Sequence, residues 1–173
     1  MADPGSAVFS PPQPIFGPPE TLMRFFADAM LGRLALWMRI LGCDVLYERD
    51  ISDEEITRQA AEDNRILLTR DTLLLRRAVN RKRGFLVHSD HYPDQLREVV
   101  HAFGLDWTKN LLTRCLRCNR VLAPQEKHAV KDRIPEYVFR SQSVFKTCPE
   151  CGKIYWKATH VDRMVRQLEH MLG

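Results

Sequence analysis

Apolar and polar positions alternate along this chain in short blocks, and the blocks change period. Leu22–Ala27 is a short apolar and aromatic run, which predicts a buried strand that ends at Asp28. From Leu31 the apolar residues Leu31, Leu34, Ala35, Met38 and Leu41 fall at helical spacing, and Gly42 closes that helix. Asp44–Tyr47 predicts a second strand, followed by a helix over Asp53–Asp63 in which Ser52 and Glu55 fit a capping box. Ile66–Thr69 is apolar enough for a strand buried on both faces, and it leads through Arg70 and Asp71 into a helix over Thr72–Asn80. Phe85–His88 predicts a fourth strand, and Tyr92–Phe103 a helix with Pro93 in its first turn and Gly104 at its end. His160–Leu172 predicts a last helix with Val161, Met164, Val165, Leu168 and Leu172 on its apolar face.

Four short strands alternating with four helices imply βαβ units, hence an α/β fold with a parallel sheet flanked by helices. The economical strand order is 2-1-3-4, whose topological switch lies between strands 1 and 3. Ligands of such sheets bind outside the carboxyl strand ends at that switch. Asp28, Asp71 and Asp90 follow strands 1, 3 and 4, and Asp53 and Glu54 open the helix after strand 2. Each acid has an ordinary structural reading as a helix cap or a first-turn charge. Together, carboxylates converging on one edge repel unless cations hold them, and an all-oxygen set suits Mg²⁺ or Mn²⁺. Such ions serve phosphodiester cleavage. Arg33 and Arg70 stand near enough in sequence to hold phosphates, or else belong to solvated faces.

Cys115-Leu-Arg-Cys118 and Cys148-Pro-Glu-Cys151 carry the most specific signal in the chain. Two CxxC knuckles supply four thiolates for tetrahedral zinc, and four ligands leave no open coordination position, so the zinc is structural. The residues between the knuckles hold an insert around Gln125–Arg140, and Val121-Leu122 and Ile154–Trp156 are predicted strands. Cys43 is a lone thiol expected to pack beside the second strand. Paired cysteines without a secretory signal point to a reducing, cytoplasmic setting.

Charge divides the chain. Residues 21–110 carry 14 Lys/Arg and 14 Asp/Glu, whereas residues 111–173 carry 12 and 6, so the second unit is the basic one. That points to a polyanion partner, with Arg117, Arg120 and Lys157 as candidate phosphate contacts beside Tyr155 and Trp156. Residues 1–20 hold six of the ten prolines and read as a disordered leader, ahead of a domain over 21–110 and a zinc-binding unit over 111–173. No apolar run reaches the roughly 18 residues of a membrane span. There is no GxSxG, GxGxxG or Walker motif, so serine hydrolysis and dinucleotide or ATP binding have no support.

RFFADAMLGRLALWMRILGCDV, then RILLTRD, then the two CxxC pairs with CGKIYW and TH, resemble the RNase domain at the C-terminus of mut-seven-type exonucleases over residues 22–170. The resemblance implies a PIN-like nuclease followed by a zinc ribbon, acting on RNA with Mg²⁺ or Mn²⁺. It implies that Asp28, Asp71 and Asp90 bind the divalent cation, with Asp53 as the helix acid and Glu54 its alternate. Ala29 and Leu36 stand where relatives often carry basic residues. Two other readings compete with a ribonuclease: an RNA-binding module without catalysis, and a metal-dependent phosphohydrolase of a small substrate.

Overall fold

The computed structural model describes residues 23–79 and 83–173. The proline-rich leader and positions 80–82 lie outside it. The body is a four-stranded parallel sheet in the order β2-β1-β3-β4, as the pattern predicts. The strands are β1 (Arg24–Ala27), β2 (Asp44–Tyr47), β3 (Ile66–Thr69) and β4 (Gly84–Leu86). Helices α1 (Gly32–Ile40), α2 (Asp53–Glu62), α3 (Thr72–Val79) and α4 (Tyr92–Phe103) follow them in turn.

Side chains on a strand alternate between faces, so each strand feeds two cores. Phe25, Ala27 and Leu68 face one way, into a cluster with Leu34, Met38, Leu96 and Phe103 from α1 and α4. Phe26 and Leu67 face the other way, onto Ile56, Ala60 and Leu74 from α2 and α3. Phe103 sets ring edges against Phe25 at 5.2 Å and Phe85 at 5.0 Å, an arrangement that complements ring quadrupoles. At the end of α1, Gly42 takes φ of 86°, and a Cβ there would lie 2.1 Å from the Asn110 carbonyl oxygen. Only glycine allows that approach.

Some local expectations change. The fourth strand begins one residue earlier and ends at Leu86: Val87 N–H still donates to Thr69 O at 2.8 Å, but His88 N–H turns to the Glu98 carboxylate at 3.0 Å. Only half of the capping box forms. Ser52 Oγ accepts from Glu55 N–H at 3.2 Å, while the Glu55 carboxylate pairs with Arg58 and Gln59. Asp90 does not cap α4, because the cap position falls to His91, whose N–H is taken by Ser89 Oγ at 3.1 Å.

The second unit is a three-stranded antiparallel sheet, β5 (Ala123–Gln125), β6 (Phe145–Thr147) and β7 (Ile154–Trp156). Val121-Leu122 is not a strand, and Val121 only bridges to Arg114. The insert folds as a 3₁₀ turn over Lys127–Arg133 and helix α5 (Glu136–Ser141). It has its own small core of Val130, Val138 and Phe145. Helix α6 (Thr159–Leu172) lies on α4, with Leu168 and Met171 buried. Met171, which the pattern left off the apolar face, is buried, whereas Val161 lines a cleft.

Candidate active edge and metal centre

At the carboxyl end of β1, Asp28 is only 5% exposed. Its carboxylate does two things at once. Oδ1 accepts from Met30 N–H at 2.8 Å, capping the 3₁₀ turn of Ala29–Leu31. Oδ2 accepts from Thr69 Oγ1 and from Arg70 N–H at 3.3 Å, which ties the end of β1 to the end of β3. Thr69 Oγ1 in turn accepts from Asp71 N–H at 2.9 Å, and Asp71 Oδ1 caps α3 through Leu73 and Leu74 N–H. The cap reading and the cluster reading of these acids are therefore compatible. A carboxylate offers about four lone-pair directions, so neither is exhausted by its cap. Thr69 was not singled out in the sequence. Its signal is that it is the one polar residue in ILLT, placed at the strand's carboxyl end.

The Arg70 Nε beside this chain of bonds is buried without a partner among the described residues. A buried donor left unpaired costs free energy, so such sites usually await an acceptor. Asp53, Glu54 and Asp90 share the edge by topology. They are exposed, and the side chains of Asp53 and Asp90 make no hydrogen bond or ion pair among the described residues. Arg33 lies over the Tyr92 ring at 5.7 Å, and Tyr92 stacks on Trp37 at 6.0 Å, so an aromatic stack with a cation flanks the edge. His88 pairs with Glu98 at 2.5 Å.

Cys115, Cys118, Cys148 and Cys151 bring their sulfurs within 4.8 Å of one another. Tetrahedral zinc with bonds of about 2.3 Å spaces its sulfurs about 3.8 Å apart, and Cys115 Sγ lies 3.7 Å from Cys151 Sγ. The backbone folds each knuckle around its first sulfur. Cys118 N–H donates to Cys115 Sγ at 3.3 Å, and Cys151 N–H to Cys148 Sγ at 3.5 Å. Burial opposes ionisation of Cys115, but the Tyr155 phenol and the Cys118 and Arg117 N–H groups hold its thiol down to about 6. Cys118 is pushed up to about 12, first through its hydrogen bond with Cys151 and then by burial, and burial also raises Cys148. All four ionise together only around a cation, so the donor set fits zinc.

The Mut7-C RNAse domain model matches residues 23–168. The chain belongs to the Mut7-C RNAse domain family. Nuclease-type chemistry is the function that family membership supports. Among curated proteins and among solved structures nothing matches. No helix of the Mut7-C RNAse domain, among the described residues, is long and apolar enough to cross a membrane.

Within this Mut7-C domain the first CxxC knuckle is fastened to the amino end of the sheet. Arg39 is 7% exposed and donates to Val45 O at 2.9 Å, Leu116 O at 3.0 Å and Arg117 O at 3.1 Å. Asn119, in the left-handed region at φ 62°, accepts from Val45 N–H at 3.1 Å and donates to Asp44 at 2.8 Å. Asp44 also meets Arg65 at 2.6 Å and Arg114 at 3.5 Å. Burial would raise the Asp44 carboxyl, but the hydrogen bonds from Arg65 and Asn119, with the charges of Arg65 and Arg114, bring it below the ordinary range. Of the three cations expected to touch RNA here, Arg117 is exposed, Arg120 is paired with Glu150, and Lys157 lies 3.9 Å from Asp162. Cys43 packs against the main cluster, and burial pushes its thiol up to about 12, as befits an inert residue.

Proposed function

We propose that this chain is a divalent-metal-dependent ribonuclease that cleaves RNA phosphodiester bonds at the carboxyl edge of its parallel sheet. The observation that carries the reading is the Asp28–Thr69–Asp71 chain at the topological switch, beside an Arg70 Nε that has no partner among the described residues. Asp28 and Asp71 hold Mg²⁺ or Mn²⁺, with Asp90 and Asp53 completing the set and Glu54 the alternate to Asp53. A cation there supplies charge neutralisation for phosphodiester cleavage. Arg70 takes a phosphate oxygen, a charge-assisted bond that would satisfy its buried donor. Thr69 fixes the Asp28 carboxylate, and the α3 cap fixes Asp71. The four-cysteine centre holds structural zinc, and residues 111–173 form the ribbon unit that helps to hold RNA, with the nuclease unit over 21–110.

A second reading, an RNA-binding module without cleavage, has one observation in its favour. Apart from the four thiols, no three His, Cys, Asp or Glu ligand atoms among the described residues lie within 4.8 Å of each other. The acids share an edge without closing on a common point. One assay separates the readings: labelled single-stranded RNA incubated with the zinc-loaded chain, with and without added Mn²⁺. The ribonuclease reading expects cleavage that appears with Mn²⁺. Binding without cleavage in either condition selects the module.

A further inference from the structure

Alternation gives the small antiparallel sheet two unlike faces. Phe145, Ile154 and Trp156 pack with the insert's core. Lys153, Tyr155 and Lys157 take the opposite face, with Lys146 directly across from Tyr155. That face is one wall of a cleft of about 440 Å³, closed on its other sides by residues 111–116 and the start of α6. The volume falls in the roughly 300–1,000 Å³ range of ligand clefts. Leu112, Leu116, Val161 and Met164 make its interior apolar, and Tyr155 lines it from the sheet. Every charged side chain lining it is basic.

Those cations are not equally committed. Arg114 is occupied with Gly42 O at 3.1 Å, Asn119 O at 2.7 Å and Asp44 at 3.5 Å. Lys146 and Lys153 have no carboxylate partner among the described residues, and Lys153 lies 5.5 Å from the centre of the Tyr155 ring. Among the described residues Lys157 has only the exposed contact with Asp162. At the mouth, Val144 is 68% exposed, an apolar side chain left in water. The occupant these features fit has a flat, weakly polar body and anionic flanks.

We infer that this cleft takes an unpaired nucleobase of the RNA strand, with the adjoining phosphates on Lys146, Lys153 and Lys157. The inference rests on RNA being the substrate. Apolar walls with an aromatic side chain accept any base, while lysines track the backbone. Position adds a constraint. The inner wall is bonded to the end of α1, since Leu112 N–H donates to Ile40 O at 2.8 Å. The acids stand where α1 begins. The nine residues of α1 span about 13 Å, and phosphates along a stacked strand recur about every 3.4 Å. The base in the cleft is therefore about four nucleotides from the bond that is cut if the strand between them stays stacked.

An abasic scan tests this. Short single-stranded RNAs, each lacking one base, are bound to the zinc-loaded full chain without added divalent cation, and gels verify that the RNA stays intact. One position should weaken binding about tenfold when its base is removed. Val144→Glu should weaken intact RNA to a similar extent and leave the abasic RNA no weaker. Lys153→Gln should flatten the salt dependence by up to about 0.7 in slope. Zinc content checks that both variants fold. Equal affinity for every abasic RNA overturns the inference, as does a full abasic penalty in Val144→Glu. A sensitive base at the cut site, mapped with Mn²⁺, also overturns it. So does a dimer that Val144→Glu dissociates without changing RNA affinity. If Mn²⁺-dependent cleavage persists in any of these cases, only the cleft assignment falls. If no RNA binds, the substrate reading falls and takes the cleft with it.

Discussion

At the amino edge of the parallel sheet, Asp44 meets Arg65, Asn119 and Arg114, and Arg39 is satisfied by three carbonyls. At the carboxyl edge, Arg70 Nε is buried without a partner, and Asp53 and Asp90 stand exposed without side-chain bonds among the described residues. The same four strands make both edges. The amino edge closes on the first CxxC knuckle, and its polar groups are consumed in holding two units together. The carboxyl edge keeps polar capacity unspent, which is what a site for an anionic substrate and a cation requires. A paired charge is weak evidence of function, and an unpaired buried donor is much stronger evidence.

The largest break in this contrast should come from the metal. Structural zinc contributes apparent binding energy on the order of 10 kcal/mol. Cys148→Ser should therefore lose the zinc and unfold the small sheet. Because Val45 N–H is held by Asn119 Oδ1, exchange of the Val45 amide should speed up as well. Exchange of the Asp28 amide, bonded to Leu68 O at 3.0 Å inside the body, should change far less. Elemental analysis and amide exchange measure both.

Asp44→Asn should be next. Removing one partner of a largely buried charge cluster costs about 2 kcal/mol, seen in denaturant unfolding, with cleavage at saturating RNA unchanged. Its pH dependence sharpens the point. The folded Asp44 carboxyl lies below its unfolded value of about 3.9, so its contribution is complete above that value. It is lost as pH falls through the folded value. The stability gap between wild type and Asp44→Asn should be constant near neutrality and close below about pH 4.

Much of the carboxyl edge was legible because its elements are local. β2, β3, β7 and α4 fall at the bounds their apolar patterns predict, and three acids follow strands whose order is the simplest available. The CxxC spacing identified the metal centre without help from the fold. The amino edge was not legible. Asp44 and Asn119 are 75 residues apart, and nothing local marks either as half of a contact. Thr69 escaped for a different reason, since a threonine ending a strand has an ordinary β-propensity explanation. The cleft was half visible. The Lys153-Ile-Tyr-Trp-Lys157 alternation sets one wall, but the others come from docking of residues 111–116 and α6.

The smallest effect belongs to the one acid held by a helix start. Ser52→Ala removes the cap that seats Asp53 and should cost about 1 kcal/mol. A modest fall in cleavage beyond the change in stability would place a first-turn acid, Asp53 or Glu54, at the site, and an unchanged rate would remove both from it.

Asp71→Asn is the most direct test that the carboxyl edge is the catalytic one. Asparagine still caps a helix well, so α3 and the fold should survive, while a metal-binding charge is lost. Single-turnover cleavage of labelled RNA at saturating enzyme with Mn²⁺ should fall by about 10²–10³-fold or more, the loss expected for one transition-state stabiliser. RNA affinity should hold or rise as repulsion of phosphate is relieved. A wild-type rate in folded, zinc-loaded Asp71→Asn would contradict the account.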